Sequence, residues 1–180
     1  LYAARHMFGL EYVVFRPHNV YGEYQNLGDR YRNVVGIFMN QLMQGQPLTV
    51  FGDGEQKRAF TYIGDIAPII AASATTPAAF GEVFNVGADS PYTVNELARL
   101  VQDAMGIKGD VKHLEARNEV VFAFSDHSKV ERIFGKRRET TLAEGLAQMA
   151  PWAKATGARA SGRFSNIEIE QKLPPSWREG

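Results

Sequence analysis

The chain has 180 residues, with 20 basic and 20 acidic side chains and no cysteine. A net charge of zero gives no general attraction for nucleic acid or for an anionic membrane, and the lack of cysteine excludes disulfides, thiolate metal sites and thiol nucleophiles. A chain without cysteine fits a reducing compartment, so we expect a cytoplasmic location. Apolar residues make up 44% of the chain, and no apolar run approaches the roughly 20 residues of a membrane span. These features predict a globular domain.

The first elements predict a helix followed by a buried strand. Residues 1–8 are compatible with a helix that ends at Gly9, but the chain starts at Leu1 without methionine or an N-cap signal, so we expect further sequence upstream. Residues 12–16 are mainly apolar, β-branched or aromatic, which favours a parallel strand covered on both faces. Pro17 ends this predicted strand. Residues 18–22 are predicted as the loop at its carboxyl end, where open α/β sheets bind ligands.

The middle of the chain alternates helices with short strands. In order, the predicted elements are a polar loop (23–32), a helix (33–45), a strand (48–51), a Gly-Asp-Gly turn (52–54), an extended segment (59–63) and a helix that runs to about residue 74. Asn33 and Asp65 are the predicted N-caps of the two helices.

The last part of the chain continues this alternation. The predicted elements are a buried strand (82–87), a helix (93–106), a strand (111–114), a short helix (126–135), a final helix that begins at residue 141 and a tail (158–180). The predicted N-caps are Thr93 with Glu96, Asp126, and Thr141 with Glu144. Pro151 should kink or end the final helix. The alternation of strands and helices predicts the α/β class.

The sequence contains no self-contained catalytic motif. Its four histidines (His6, His18, His113 and His127) have no metal-ligand spacing, and there is neither a Gly-x-Ser-x-Gly elbow nor a Walker loop. We therefore predict no metal site and no catalytic residue in this chain.

Isolated arginines and asparagines at loop and helix starts are more informative: Asn19, Asn33, Arg58 and Arg117. A phosphate or diphosphate is bound by guanidinium groups and by backbone N–H groups at a helix N-terminus. Residue type alone leaves two interpretations open, a phosphate site or solvated surface side chains. Phe51 likewise can stack on a base or belong to the core.

Several short motifs follow one another over residues 1 to about 150. They are Gly9-Leu10, the run 13–22 (Val-Val-Phe-Arg-Pro-His-Asn-Val-Tyr-Gly), Phe51-Gly52-Asp53-Gly54 through Arg58, Phe60, Tyr62 and Asp65, then Phe84-Asn85-Val86-Gly87, Thr93-Glu96-Leu97 and Asp126-Ser128-Lys129. In this order and spacing they resemble the NAD-dependent epimerase/dehydratase family of extended short-chain dehydrogenases/reductases, of the UDP-glucose 4-epimerase type. The resemblance implies the C-terminal part of a Rossmann-type fold, comprising the last parallel strands of the sheet and the small substrate-binding α/β domain.

The resemblance also implies roles for individual residues. Those implied to bind the nucleotide sugar are Asn19 (sugar nucleotide), Asn33 and Val34 (diphosphate), Thr49, Val50 and Phe51 (base), and Arg58 and Arg117 (phosphates and ribose). Those implied to border the nicotinamide of NAD are Pro17 and His18. Two guanidinium groups and a helix N-terminus can together offset the charge of about −2 on a diphosphate. Ala59 departs from the family pattern, which usually has aspartate at this position.

The catalytic pair of the family falls outside the chain. In full-length relatives, a Tyr-x-x-x-Lys pair removes a proton from a sugar hydroxyl while hydride passes to NAD, and the resemblance places this pair and the glycine-rich NAD loop upstream of Leu1. Tyr2 is followed four residues later by His6, so it cannot replace the pair. We therefore expect this chain to be the substrate-binding portion of an NAD-dependent nucleotide-sugar epimerase. We expect the chain alone to be inactive, and NAD to be bound by the full-length parent rather than by this portion. The alternatives are a dehydratase or decarboxylase fragment, or a non-catalytic sugar-nucleotide-binding or interaction module.

The implied domain boundaries are the end of the catalytic helix with a Rossmann strand (1–22), the substrate-binding domain with a further Rossmann strand at 82–87 (23–157), and the tail (158–180). Without its neighbour on one side, the strand at 12–16 would have a free apolar edge. Such an edge predicts a homodimer or another strand-edge association.

Overall fold

The computed structural model describes residues 1–29, 33–117, 122–123, 125–136 and 139–161. Its α-helices are α1 (Tyr2–Phe8), α2 (Val34–Met43), α3 (Ile63–Ser73), α4 (Val94–Met105), α5 (Ser128–Phe134) and α6 (Leu142–Thr156), and a short 3₁₀ helix covers Pro77–Ala79. None of the helices in these ranges is long and apolar enough to cross a membrane.

The strands of the described residues pair mostly in parallel. They are β1 (Val14–Pro17), β2 (Val20–Tyr21), β3 (Leu48–Phe51), β4 (Lys57–Ala59), β5 (Thr61–Tyr62), β6 (Val83–Val86), β7 (Pro91–Thr93), β8 (Val111–Leu114) and β9 (Phe122–Ala123). The parallel pairs are β1–β6, β2–β5, β3–β8 and β4–β9, whereas β4 and β7 are antiparallel. At least one α-helix lies in the chain between the two strands of each of these parallel pairs, so the predicted α/β class is confirmed.

Local capping signals explain where several helices begin. Thr93 and Glu96 form a reciprocal capping box at α4, and Thr141 and Glu144 form another at α6. The Asn33 side chain accepts a hydrogen bond from Val35 N–H at 3.0 Å and caps α2. These three helix starts are as predicted.

Two hydrophobic clusters form the core. The larger one joins α2, α4 and α6 to β3, with Phe38, Leu97 and Leu146 fully buried. The smaller one joins β1, α3, β6 and α5 around Phe84, whose ring stacks on Phe15 with the centroids 5.7 Å apart. Burial of these apolar side chains is the main force that holds the short strands in place, because two-stranded ladders alone are only marginally stable in water.

The structure corrects four of the local predictions. The helix after β5 begins at Ile63 with Tyr62 as its N-cap, and the Asp65 carboxylate instead accepts from the Thr140 N–H and hydroxyl at 3.0 and 2.6 Å. The segment predicted as a loop at 18–22 contains β2. Pro151 does not end α6, which continues to Thr156. Strand β1 is not covered on both faces, since its first two residues are half-buried and its last two are exposed.

A smaller shift affects the short helix near residue 130. Its N-cap position is His127 rather than Asp126, although the Asp126 carboxylate still accepts from the Ser128 N–H at 2.8 Å. The first tail residues, 158–161, contact α2, and residues 162–180 lie outside the described ranges. The domain boundaries stay predictions.

Candidate functional site

Two of the predicted asparagines lie side by side where β1 and β2 meet the start of α2. Asn19 is in a left-handed conformation (φ 45°), and its side-chain amide donates to the Ala59 carbonyl at 2.9 Å. The Asn33 amide donates to the carbonyl of Val20, the residue after Asn19. Because Asn33 uses its oxygen to cap α2 and its nitrogen to hold β2, it joins the helix start to the strand end.

These asparagines line an open cleft of about 590 Å³, together with Val20, Gln25, Asn26 and Asp29. Val34, the first residue of α2, follows Asn33 directly and is half-buried. A helix start carries backbone N–H groups without intrahelical partners and a partial positive charge. With side-chain amides around it, this end of the cleft is suited to bind an anion through hydrogen bonds, while Asp29 adds one acidic group to the lining.

A second group is formed on β3, where alternate side chains face opposite ways. Leu48 and Val50 point into the core, and Val50 is only 1% exposed, so its side chain is not available to a ligand. Thr49 and Phe51 face the other side. The Arg117 guanidinium carbon lies 3.3 Å from the centroid of the Phe51 ring, a cation–π arrangement.

Thr49 connects this second group to α2. The Gln41 side chain donates to the Thr49 hydroxyl at 2.9 Å and accepts from the Thr49 N–H at 3.2 Å. One helix therefore presents its N-cap to the cleft and, two turns later, fixes the strand that carries Phe51. The helix α2 thus contacts both groups.

Arg58 lies in the middle of β4 and is half-buried. One of its guanidinium nitrogens donates to the Lys57 carbonyl at 2.8 Å. The next residue, Ala59, is 1% exposed and uses its carbonyl to bind Asn19, so β4 borders the cleft group through its backbone. The small side chain at position 59 fits this closed environment, in which a carboxylate would lose its hydration.

Pro17 and His18 lie at the carboxyl end of the parallel pair β1–β6, directly before Asn19 in the chain. The His18 ring stacks on His127, with centroids 5.0 Å apart and planes 13° from parallel. The Nδ1 atom of His127 lies 2.7 Å from an Asp89 carboxylate oxygen. Burial lowers the pKa of His18 below its ordinary value, and His127 adds to this effect. A Cβ on Gly87 would lie 2.2 Å from the His18 ring, so only glycine leaves room for this stack.

The buried His18 Nδ1 and His127 Nε2 have no hydrogen-bond partner among the described residues. Such atoms at the carboxyl edge of a parallel sheet indicate a position at which a polar ligand group can be received. Across the described ranges, there is no cluster of three or more His, Asp or Glu side chains that could hold a metal ion.

Sequence reasoning missed several of these groups. Gln25 and Asn26 were within a segment recognised only as polar, and no spacing marks them as cleft residues. His127 and Asp89 are brought to His18 from 109 and 71 residues away in the chain. A Tyr62 hydroxyl bound to the Glu23 carboxylate at 3.0 Å is a further polar group in the core, where burial raises the pKa of Tyr62 to about 12. Only three-dimensional proximity identifies such groups.

The sequence and the fold were compared with those of known proteins. The sequence profile of the NAD dependent epimerase/dehydratase family matches residues 1–87. A putative UDP-glucose 4-epimerase from Methanocaldococcus jannaschii is 32% identical over 149 residues, which cover 82% of this chain and 47% of the relative.

Two solved structures are similar along most of the chain. UDP-glucose 4-epimerase from Thermotoga maritima with UDP-glucose has a TM-score of 0.73 and 29% identity, over 84% of this chain and 48% of the other. UDP-glucuronic acid 4-epimerase from Bacillus cereus, in complex with UDP-glucuronic acid and NAD, has a TM-score of 0.74 and 25% identity, over 86% and 49%. The chain thus spans about half the length of the relatives it matches. It has the fold of the extended short-chain dehydrogenases/reductases and belongs to the NAD-dependent epimerase/dehydratase family.

Proposed function

We propose that this chain is the nucleotide-sugar-binding portion of an NAD-dependent UDP-sugar epimerase. The observation that carries the proposal is the pairing of an amide-lined cleft at the start of α2 with an arginine-covered aromatic ring on β3, both fixed by the same helix. The similar structures that hold UDP-glucose or UDP-glucuronic acid support this choice of ligand.

The two groups suit different parts of a UDP-sugar. The N-terminus of α2, with Asn33 and Val34, suits the diphosphate, because N–H groups and the helix dipole favour negative charge. Thr49, the Val50 backbone and Phe51 suit the base. Arg117 lies over Phe51 and, together with Arg58, carries positive charge for the phosphates and ribose.

In this proposal Asn19, at the end of β1, directs the sugar toward the residues that react with it. The role of the chain is positioning: it holds the nucleotide end so that the sugar is presented in one orientation. A site that binds only the nucleotide part of a UDP-sugar leaves the sugar, which is the reacting end, to be oriented by other contacts.

In this proposal the chain contacts NAD only at its nicotinamide end. Pro17 and His18 lie at the carboxyl edge of the β1–β6 pair, and the unpartnered His18 and His127 nitrogens can receive a polar group there. Nowhere in the 180 residues is there a Gly-x-Gly-x-x-Gly loop for the cofactor diphosphate, or a tyrosine followed by lysine four residues later. When bound, NAD supplies a hydride acceptor, and we assign its binding, the catalytic pair and turnover to a full-length protein.

Calorimetry with UDP and UDP-glucose tests the proposal directly. We expect the chain to bind both, and Arg117→Ala and Arg58→Ala to weaken binding about 10- to 100-fold, the range of a lost charge-assisted hydrogen bond. Arg99→Ala is the matched control, because Arg99 is an exposed arginine on α4 that pairs with Asp103.

The same chain mixed with NAD and UDP-glucose should show no epimerisation. Absence of UDP binding by the wild-type chain would overturn the assignment of a nucleotide-sugar site. Turnover by the chain alone would overturn the division of roles between this portion and the rest of the enzyme.

A further inference from the structure

The C-terminal residues 158–161, here called the strap, are bound to α2 through their backbone. The side-chain amide of Asn40 donates to the Arg159 carbonyl at 2.9 Å, and its oxygen accepts from the Arg159 N–H at 2.8 Å. Gln44, one turn later, donates to the same carbonyl at 2.8 Å. Asn40 is 3% exposed, so a buried amide uses both its donor and its acceptor on one residue of the strap. Because these bonds involve only the backbone of residue 159, they act as a bridge that does not depend on its side chain.

The strap lies against a loop formed by residues 25–29. A Cβ on Gly28 would lie 3.0 Å from the Ala160 carbonyl oxygen and 3.3 Å from Arg159 Cβ, so the strap touches the loop backbone itself. A cavity of about 390 Å³ on this side is lined by both segments, by Gln25, Asn26, Leu27 and Gly28 from the loop and by Arg159 and Ala160 from the strap.

The same loop also lines the candidate nucleotide cleft. Gln25, Asn26 and Asp29 line the cleft, and the Gln25 amide donates to the Asn33 carbonyl at 3.5 Å. The bonds within the loop are local: Asn26 accepts from the N–H groups of Gly28 and Asp29 at 3.1 and 3.3 Å. Leu27, at the centre of the loop, is 2% exposed and packs in the larger core cluster, and the strap packs beside it on Gly28. Packing of a further segment on a loop makes its local opening less favourable. The loop therefore lines the cleft and also contacts the strap.

We propose that the strap, held by Asn40, positions the 25–29 loop and thereby raises the affinity of the cleft for the nucleotide. Asn40 is a positioning residue in this scheme, because it touches the strap and not the ligand. The effect on affinity rests on the proposed nucleotide-sugar function, whereas the effect on the loop does not. Ordering the loop before binding lowers the entropy lost when the ligand is bound.

Hydrogen exchange on two truncated chains tests the effect on the loop. A chain that ends at Ser161 keeps the strap, and a chain that ends at Gly157 lacks it, so their difference isolates residues 158–161. We expect amides of residues 25–29 to exchange at least tenfold faster in the shorter chain, with α4 exchanging at equal rates in both. Equal loop exchange in the two chains, or an equal acceleration in α4, would overturn the proposal.

Point variants test the bridge without shortening the chain. Asn40→Asp keeps the acceptor for the Arg159 N–H but replaces the donor with a charged oxygen that faces the Arg159 carbonyl. Gln46→Glu is the matched control: it makes the same chemical change at an exposed amide that lines a second groove together with Asn40 and the strap. We expect faster loop exchange and a threefold to tenfold higher Kd for UDP in Asn40→Asp, and neither change in Gln46→Glu.

The outcomes separate the two proposals. If the wild-type chain does not bind UDP, the proposed function fails, but loop exchange still decides whether the strap holds the loop. Faster loop exchange with an unchanged Kd for UDP would overturn the influence of the strap on affinity.

Discussion

Replacing Asn33 separates its structural role from its proposed role in binding. Its oxygen caps α2 through Val35 N–H at 3.0 Å, and its nitrogen donates to the Val20 carbonyl. Loss of an N-cap costs about 1 kcal/mol, and loss of a neutral hydrogen bond costs about 1 kcal/mol. Asn33→Ala removes both, so we expect the free energy of unfolding to fall by about 2 kcal/mol.

Compared with Asn33→Ala, Asn33→Asp should lose less stability but more affinity for UDP. The carboxylate still caps the helix and gains about 0.5 kcal/mol from the helix dipole, although one of its oxygens then faces the Val20 carbonyl without a hydrogen bond, so we expect stability to fall less than in Asn33→Ala. The added negative charge lies where we place the diphosphate. We therefore expect Asn33→Asp to bind UDP about tenfold more weakly than Asn33→Ala, a difference of about 1.4 kcal/mol.

Urea unfolding followed by circular dichroism measures stability, and calorimetry measures UDP binding. Thr141→Ala is the control, because it removes the capping box of α6, away from the cleft, and should lower stability by about 1 kcal/mol without changing the Kd. Wild-type affinity in Asn33→Asp would refute the location of the diphosphate at α2. Unchanged stability in Asn33→Ala would refute the reasoning about the cap.

Three further predictions follow from other parts of the structure. Burial lowers the pKa of His18 below 6.5, so as the pH falls the imidazole is protonated more readily in the unfolded chain than in the folded one. The free energy of unfolding should therefore fall as the pH drops below 6.5, and urea titrations should show a smaller fall in His18→Gln. An equal fall in the variant would contradict the lowered pKa of His18. Tyr62→Phe should lower stability by about 1–3 kcal/mol, because it leaves the Glu23 carboxylate without the Tyr62 hydroxyl; wild-type stability in urea would argue against this network. Strand β1 pairs only with β6 among the described residues, and Phe8 on α1 is 78% exposed, so we expect a dimer in analytical ultracentrifugation and weaker association in Phe8→Glu, whereas a wild-type monomer would contradict strand-edge association.

Much of the fold could be predicted from local signals. The strand at Leu48–Phe51, the strand at Val111–Leu114 and the capping boxes at Thr93 and Thr141 have the predicted bounds, because propensity, periodicity and capping act over a few neighbouring residues. The prediction that Asp65 caps a helix was wrong, and the final helix does not end at Pro151, in both cases for a tertiary reason. Asp65 binds Thr140, 75 residues away, and packing of α6 on α4 keeps the helix continuous through Pro151.

The candidate site could be predicted only in part. Asn33 has a local signature as a helix cap, and the resemblance to a family drew attention to Asn19, Phe51 and Arg117. No local pattern indicates that Asn33 holds β2 or that Arg117 covers the Phe51 ring. The burial of Val50, which removes its side chain from any ligand, follows from the face that β3 turns toward the core.

By itself, the sequence determined the α/β class, most of the helix and strand positions, and the family, because these depend on side chains close together in the chain. Only the tertiary structure decided which polar groups meet. It brought His127 to His18, and Arg159 to Asn40 across 119 residues, through packing of helices and strands whose partners lie far apart in the sequence. The cleft itself is lined by residues from one stretch, 19–33, but Asn19 in this lining is held by the Ala59 carbonyl of β4, 40 residues away.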